Sequence, residues 1–173
     1  MKRKGPWVII AVVACLCVFT SLLLFIIEDV DDWAYSESES VVNSIWGVQT
    51  ADGAIEGTCA YYLQMGGDYV YANRGDYGQF SKTFDLTNDN NLLIDVAITK
   101  SSGLNRANYF AQIFVGTNLI WERDMYYALG STTLNLDVSI FTGKQPIILR
   151  VYAKSSDGAG DWGKFIFDDP QEG

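Results

Sequence analysis

The chain has no histidine, and that absence bounds the chemistry open to it. The commonest general base, the commonest neutral metal ligand and the Ser-His and Cys-His nucleophile pairs are all removed. Proximal-histidine haem ligation goes with them, and no CxxCH attachment motif is present. Paired carboxylates or a Ser-Lys arrangement stay formally open, yet no spacing of these residues singles out a catalytic site, so the reading is a non-enzyme. Of the three cysteines, Cys15 and Cys17 sit in an apolar run and Cys59 stands alone beyond it. No disulfide can form within the part that follows. Cys59 reads as a small buried hydrophobe, with an intermolecular bridge as the alternative.

The apolar run, PWVIIAVVACLCVFTSLLLFII from Pro6 to Ile27, holds no charge. As a helix it would be about 33 Å long at ~1.5 Å per residue, enough to cross a hydrocarbon core of roughly 30 Å. Lys2, Arg3 and Lys4 precede it and six acids follow it before residue 40. Basic flanks stay cytoplasmic, so 1–5 are expected inside, 6–27 in the membrane and the rest outside. Ala11, Ala14, Cys15 and Ser21 are the small residues available for packing against neighbouring helices. Trp7 and Trp33 are placed to sit at the two interfaces. Three processing alternatives stand beside the uncleaved anchor: a removed signal peptide, lipidation at Cys15 in Val12-Val13-Ala14-Cys15, and a pilin-type cut after Gly5.

Beyond residue 27 the chain carries nine Lys and Arg against 21 acids, a net charge of −12. That sign excludes nucleic acid and an anionic lipid surface as electrostatic partners. Residues 28–57 are acidic and rich in serine and glycine, and read as a stalk and loop. From 58 to 173 the pattern is one of short strand-like runs: 58–65, 68–74, 79–87, 91–100, 107–116, 118–124, 132–140, 146–154 and 162–168. Turn residues such as Gly66-Gly67, Asn88-Asp89-Asn90 and Ser101-Ser102-Gly103 separate them. Leu134, Leu136, Val138 and Ile140 alternate with Asn135, Asp137 and Ser139. Period-two alternation at regular turn spacing predicts an all-β antiparallel sandwich or barrel.

Four pieces of sequence resemble the galactose-binding-like jelly roll shared by many carbohydrate-binding modules. They are Phe114-Val115-Gly116 followed by Leu119-Ile120-Trp121, the strand from Thr133 to Ser139, the Phe141-Thr142-Gly143-Lys144 turn with the strand it feeds, and the closing run from Asp161 to Asp169. The likeness spans 68–169. It implies a ligand site in loops at one end of the sandwich, for a glycan, a protein or a lipid head group. Trp121, Tyr126, Tyr127 and Trp162 are then the aromatics at strand ends that could stack on sugars, with Arg74 and Asp76 in a second polar-aromatic loop; the alternative for these rings is closure of the core or its rim. It also implies that a structural calcium could be held by Asp157, Asp161, Asp168 and Asp169, although no DxDxDG loop is present. No other cofactor is expected.

Three functions fit this architecture. The first is a membrane-anchored, extracytoplasmic accessory or structural subunit, with the lipid bilayer and other membrane-protein subunits as partners. The second is a tethered carbohydrate- or surface-binding module, and the third an archaeal pilin-like filament subunit.

Overall fold

Eleven strands carry the fold in the computed structural model, which describes residues 33–38, 44–50, 59–67, 72–156, 160–168 and 171–172. They are β1 (Ala34–Glu37), β2 (Ser44–Thr50), β3 (Cys59–Gly66), β4 (Tyr77–Asp85), β5 (Asn91–Lys100) and β6 (Tyr109–Val115). Then come β7 (Asn118–Asp124), β8 (Leu129–Asp137), β9 (Lys144–Ala153), β10 (Trp162–Phe167) and β11 (Gln171–Glu172). One sheet has the order β1-β4-β9-β6-β7. The other runs β2-β3-β10-β5, with β8 on the free side of β5 and β11 continuing past β10 along the same strand. The pairings among β2 to β11 are antiparallel. The chain divides into two compact units, 1–34 and 35–173; the sandwich belongs to the second.

The core follows from the alternation. On β9, Ile147, Leu149, Val151 and Ala153 are fully buried, and Ile148, Arg150 and Tyr152 face the other way. On β6 the inward set is Tyr109, Ala111, Ile113 and Val115. Between the sheets runs a chain of rings: Tyr35–Phe80, Phe80–Tyr61, Tyr61–Phe167, Phe167–Phe165 and Phe165–Trp121, with centroids 5.6 to 6.0 Å apart. Such pairs add about 0.5–1.5 kcal/mol each beyond the area they bury. Because Phe80 belongs to one sheet and Phe167 to the other, their edge contact at 5.7 Å ties the layers directly.

Two strands fall where the sequence pattern suggests a stalk and loop, so the sandwich starts before residue 58. Short β1 forms one edge, with Ser38 N–H bonded to the Tyr77 carbonyl at 3.0 Å. β2 pairs with β3 along its whole length, Cys59 facing Thr50 in the register. Acidic, serine-rich β1 has no apolar period to reveal it, and Gly47 interrupts β2. Of the strand expected at 68–74, Asn73–Asp76 form a turn closed by the Asp76 N–H on the Asn73 carbonyl at 3.0 Å, and 68–71 lie outside the described residues.

The expected membrane helix, 6–27, with Trp7, Ala11, Ala14 and Cys15, also lies outside them. Among the described residues no helix is long and apolar enough to cross a membrane. Trp33 is described, and only 7% of it is exposed.

Two turns at the β4–β5 and β8–β9 end are built by carboxylates. Asp85 accepts from the backbone and hydroxyl of Thr87, and Asp137 does the same with Ser139. These hydrogen bonds from Thr87 and Ser139 lower both carboxyls below the ordinary aspartate value of 3.8. A depressed carboxyl stabilises its turn above the unfolded value and releases it as pH falls below about 4. Amide exchange at Thr87 and Ser139 is therefore expected to stay slow from neutral pH down to about 4. Below that it should quicken relative to the sheet interior.

Candidate functional site

The connections at the end of the sandwich where β4 and β6 begin hold most of the residues that sequence reasoning picks out. Met125, fully buried, pins the β7–β8 connection through its N–H on the Tyr109 carbonyl at 2.9 Å. Its neighbours are pushed outward: Tyr126 is 40% and Tyr127 44% exposed. The two rings meet edge to face at 5.1 Å. Lys100 lies 5.0 Å from the Tyr126 centroid and Arg106 5.5 Å from that of Tyr127. Asp124 steadies the group, accepting from Tyr126 N–H at 3.0 Å and Ala107 N–H at 2.8 Å.

The other expected site residues divide. Trp121 faces inward and stacks on Phe165 at 6.0 Å, so it closes the core rather than offering a free ring. Asp76 is 2% exposed; its carboxylate takes the Asn73 N–H at 2.7 Å, and its carbonyl takes the Ala153 N–H at 2.8 Å. That is the bonding of a turn-forming residue. Arg74 is exposed and its backbone N–H reaches the Ser156 hydroxyl at 3.3 Å. Trp162 is half-buried at the start of β10, its N–H on the Ser101 hydroxyl at 3.0 Å. Asp161 and Asp168 are half-buried at opposite ends of β10. Asp157 and Asp169 lie outside the described residues, among which no group of three or more acids or cysteines is placed to hold a metal ion.

A second constellation lies on the outward face of the β1-β4-β9-β6-β7 sheet, and sequence reasoning missed it. The registers put Gln79, Arg150, Gln112 and Glu122 side by side in one row across four strands. Adjacent strands lie ~4.8 Å apart, so the row is about 14 Å long. Arg150 Nε donates to Gln79 Oε1 at 2.8 Å, and Gln112 Nε2 donates to Glu122 Oε2 at 2.7 Å. The next row toward the loop end is Tyr77, Tyr152 and Phe110; the row on the other side is Ser81, Ile148 and Phe114.

Rings therefore bracket the polar row. The Arg150 guanidinium carbon lies 4.9 Å from the Tyr77 centroid and 4.7 Å from that of Phe114, and Lys154 Nζ sits 4.9 Å over Phe110. This packing leaves Gln112 only 7% and Phe110 only 8% exposed, although both face away from the core. Burial lowers the Arg150 pKa, opposed by the nearby Tyr77 and Tyr152, and the group stays charged at neutral pH. A buried amide, Gln112, and a held guanidinium cost free energy on an outer face, where an aliphatic residue or a free lysine would serve stability as well. They supply fixed donors and acceptors beside ring faces, which is the chemistry for gripping hydroxyl-rich rings.

A signal for this face exists in the sequence. Within 146–154, Ile148, Arg150 and Tyr152 share the face opposite the apolar set, and Gln112 interrupts an otherwise apolar run at 109–115. Only the register joins them.

Neither a protein-family model nor a curated protein matches this sequence. Solved structures do. The K1 adhesin domain of Lys-gingipain from Porphyromonas gingivalis superposes with a TM-score of 0.55 at 14% identity, covering 83% of this chain and 92% of its own. A carbohydrate-binding module of Caldicellulosiruptor saccharolyticus, solved with mannohexaose, gives 0.52 at 9% identity over 82% and 92%. A carbohydrate-binding module specific for non-crystalline cellulose gives 0.50 at 12% identity over 82% and 87%. At such identities the similarity is one of fold, and it bears out the all-β antiparallel two-sheet sandwich.

Proposed function

We propose that the chain is a non-catalytic carbohydrate-binding module that lays a glycan across the outward face of the β1-β4-β9-β6-β7 sheet. One observation carries the reading: the Gln79–Arg150–Gln112–Glu122 row, held by its own hydrogen bonds and bracketed by Tyr77, Tyr152, Phe110 and Phe114. Gln and Arg side chains offer planar, paired donors and acceptors to sugar hydroxyls, and the rings offer stacking surfaces. The fold is one that the two modules above share, one of them solved with mannohexaose and the other specific for non-crystalline cellulose. This reading stands ahead of the accessory-subunit expectation, because carbohydrate-binding modules are among the solved structures that share the fold and the face sets two amides in line with its guanidinium. The apolar stretch 6–27 and the bases before it support tethering of the module to the outer side of a membrane. Protease added to intact cells should then remove the sandwich, and full protection would refute that placement.

The test is titration calorimetry of the full chain in detergent against soluble neutral and acidic polysaccharides. Hydrogen bonds to a charged group are worth about 1.5–3 kcal/mol, so Arg150→Ala should weaken binding about 10- to 100-fold. Gln112→Ala should weaken it about 5- to 10-fold, in line with a neutral hydrogen bond of about 1–1.5 kcal/mol. Tyr126→Ala with Tyr127→Ala should leave affinity within about twofold. Loss of binding in the tyrosine double variant alone would move the site to the loop end. Failure of the native chain to bind any of the polysaccharides would refute the reading.

A further inference from the structure

Arg150 lacks the partner such a residue ordinarily has. It is half-buried and desolvated by neighbouring rings, yet among the described residues its only hydrogen bond is from Nε to the neutral Gln79 and no carboxylate pairs with it. A half-buried charge without a counter-charge is unfavourable. The chain carries 21 acids, so a partner was available in composition. The nearest acid along the row, Glu122, is instead two strands away and engaged by Gln112. The Nε bond and the two ring contacts fix the guanidinium, and its Nη edge, with four of the five N–H donors, is left unused. A second cation, Lys154, stands over Phe110 on the same face.

We propose that the ligand is an acidic glycan, a polysaccharide bearing uronic acid carboxylates, with the Nη edge of Arg150 as the carboxylate fork. This rests on the glycan-binding reading of the same face and names the class of glycan. Two parallel N–H donors match the two oxygens of a carboxylate, a geometry that lysine lacks. The ligand's own charge then supplies the counter-ion that no described residue provides, so pairing and ring stacking reinforce each other in one sugar unit. The acidic remainder of the chain opposes a polyanion only over long range, and ions at 0.15 M screen that repulsion beyond about 8 Å. A short contact at Arg150 is screened far less.

The experiment compares polygalacturonate with its methyl ester, which has the same backbone and no charge, using the full chain in detergent at pH 7 and 0.15 M salt. The acid form should bind at least 10-fold more tightly. Arg150→Gln should erase that preference by weakening the acid form at least 10-fold more than the ester, and Arg150→Lys should recover less than half of the lost affinity on a logarithmic scale. Thermal unfolding of both variants in the absence of glycan checks that the sheet is intact. Equal binding of acid and ester, with Arg150→Gln weakening both alike, overturns the carboxylate assignment and leaves the glycan reading standing. Dextran sulfate binding as tightly as polygalacturonate, with the same dependence on Arg150, overturns it in favour of a general anion site. Absence of binding to every glycan, neutral or acidic, overturns the underlying reading instead.

Discussion

Replacing Phe167 by alanine is expected to cost about 3–5 kcal/mol of folding free energy, the range for emptying a large aromatic site that cannot collapse. The ring is fully buried and touches three others: Tyr61 at 5.6 Å, Phe80 at 5.7 Å and Phe165 at 5.6 Å. Those partners come from both sheets, so a cavity there cannot be filled by a shift of one strand within its own layer. Domains of this size have only about 5–15 kcal/mol in total, and the variant should lie near the threshold of folding at 37 °C. Phe114→Ala is the matched control. Its ring lies on the outer face against Arg150 at 4.7 Å, and its loss should cost about 1 kcal/mol, the scale of a partly exposed stacking contact. Urea unfolding of the two variants side by side measures the contrast. Equal costs would mean that the ring chain between the sheets is not the centre of the core.

That core was legible in the sequence, because inward positions obey a period of two and burial is the strongest constraint on a strand. Leu136 and Val138 alternate with Asn135, Asp137 and Ser139, and the structure buries the first pair while exposing the other three. The strands at 91–100 and 118–124 have the bounds the pattern suggests. β1 and β2 were not legible for a related reason. A four-residue edge strand reading Ala-Tyr-Ser-Glu buries too little for alternation to appear, and its place depends on β4 being there to receive it. Edge strands are often short and polar, which also limits pairing with other chains.

The site was less legible than the fold. Sequence reasoning favoured aromatics near strand ends, since exposure is easiest to infer in loops, and it left Tyr126 and Tyr127 open between rim or core and a ligand-facing place; the structure exposes both. It could not join Gln79 to Arg150, which are 71 positions apart, or see that Gln112 lies between Arg150 and Glu122. Those neighbours are set by strand order and register, which depend on the order β4-β9-β6-β7 rather than on any local pattern. Trp121 shows the converse. A tryptophan at a hairpin can be a sugar platform or a core residue, and its parity on β7 selects the core. Parity, more than residue type, decides which aromatic is free to meet a ligand.

Gly66→Ala is the second substitution expected to have a large effect, and here backbone rather than side-chain packing decides. Gly66 ends β3 at φ +76°, and a Cβ there would stand 2.2 Å from the Asp161 carbonyl oxygen and 2.9 Å from the Tyr109 hydroxyl. A carbonyl oxygen cannot rotate away as a side-chain tip can. The 160–161 segment is held in place by Gly160 N–H on the Gly67 carbonyl at 3.1 Å and by the β10 register that sets Trp162 opposite Gly66. Left-handed backbone at a non-glycine residue costs about 1–3 kcal/mol, and overpacking a tight contact costs about 1–3 more, giving about 2–6 kcal/mol together. Gly75→Ala separates the two contributions. Gly75 has φ +99° but open space around the position of a Cβ, so only the backbone cost remains, about 1–3 kcal/mol. In thermal unfolding Gly66→Ala should lower Tm by roughly 5–20 °C, at about 2–4 °C per kcal/mol for a chain of this length. The fall for Gly75→Ala should be about half as large or less. If Gly66→Ala fell no further than Gly75→Ala, the close approach of the β10 entry to the end of β3 would be wrong, and with it the placing of the loop end that Tyr109 and Met125 share.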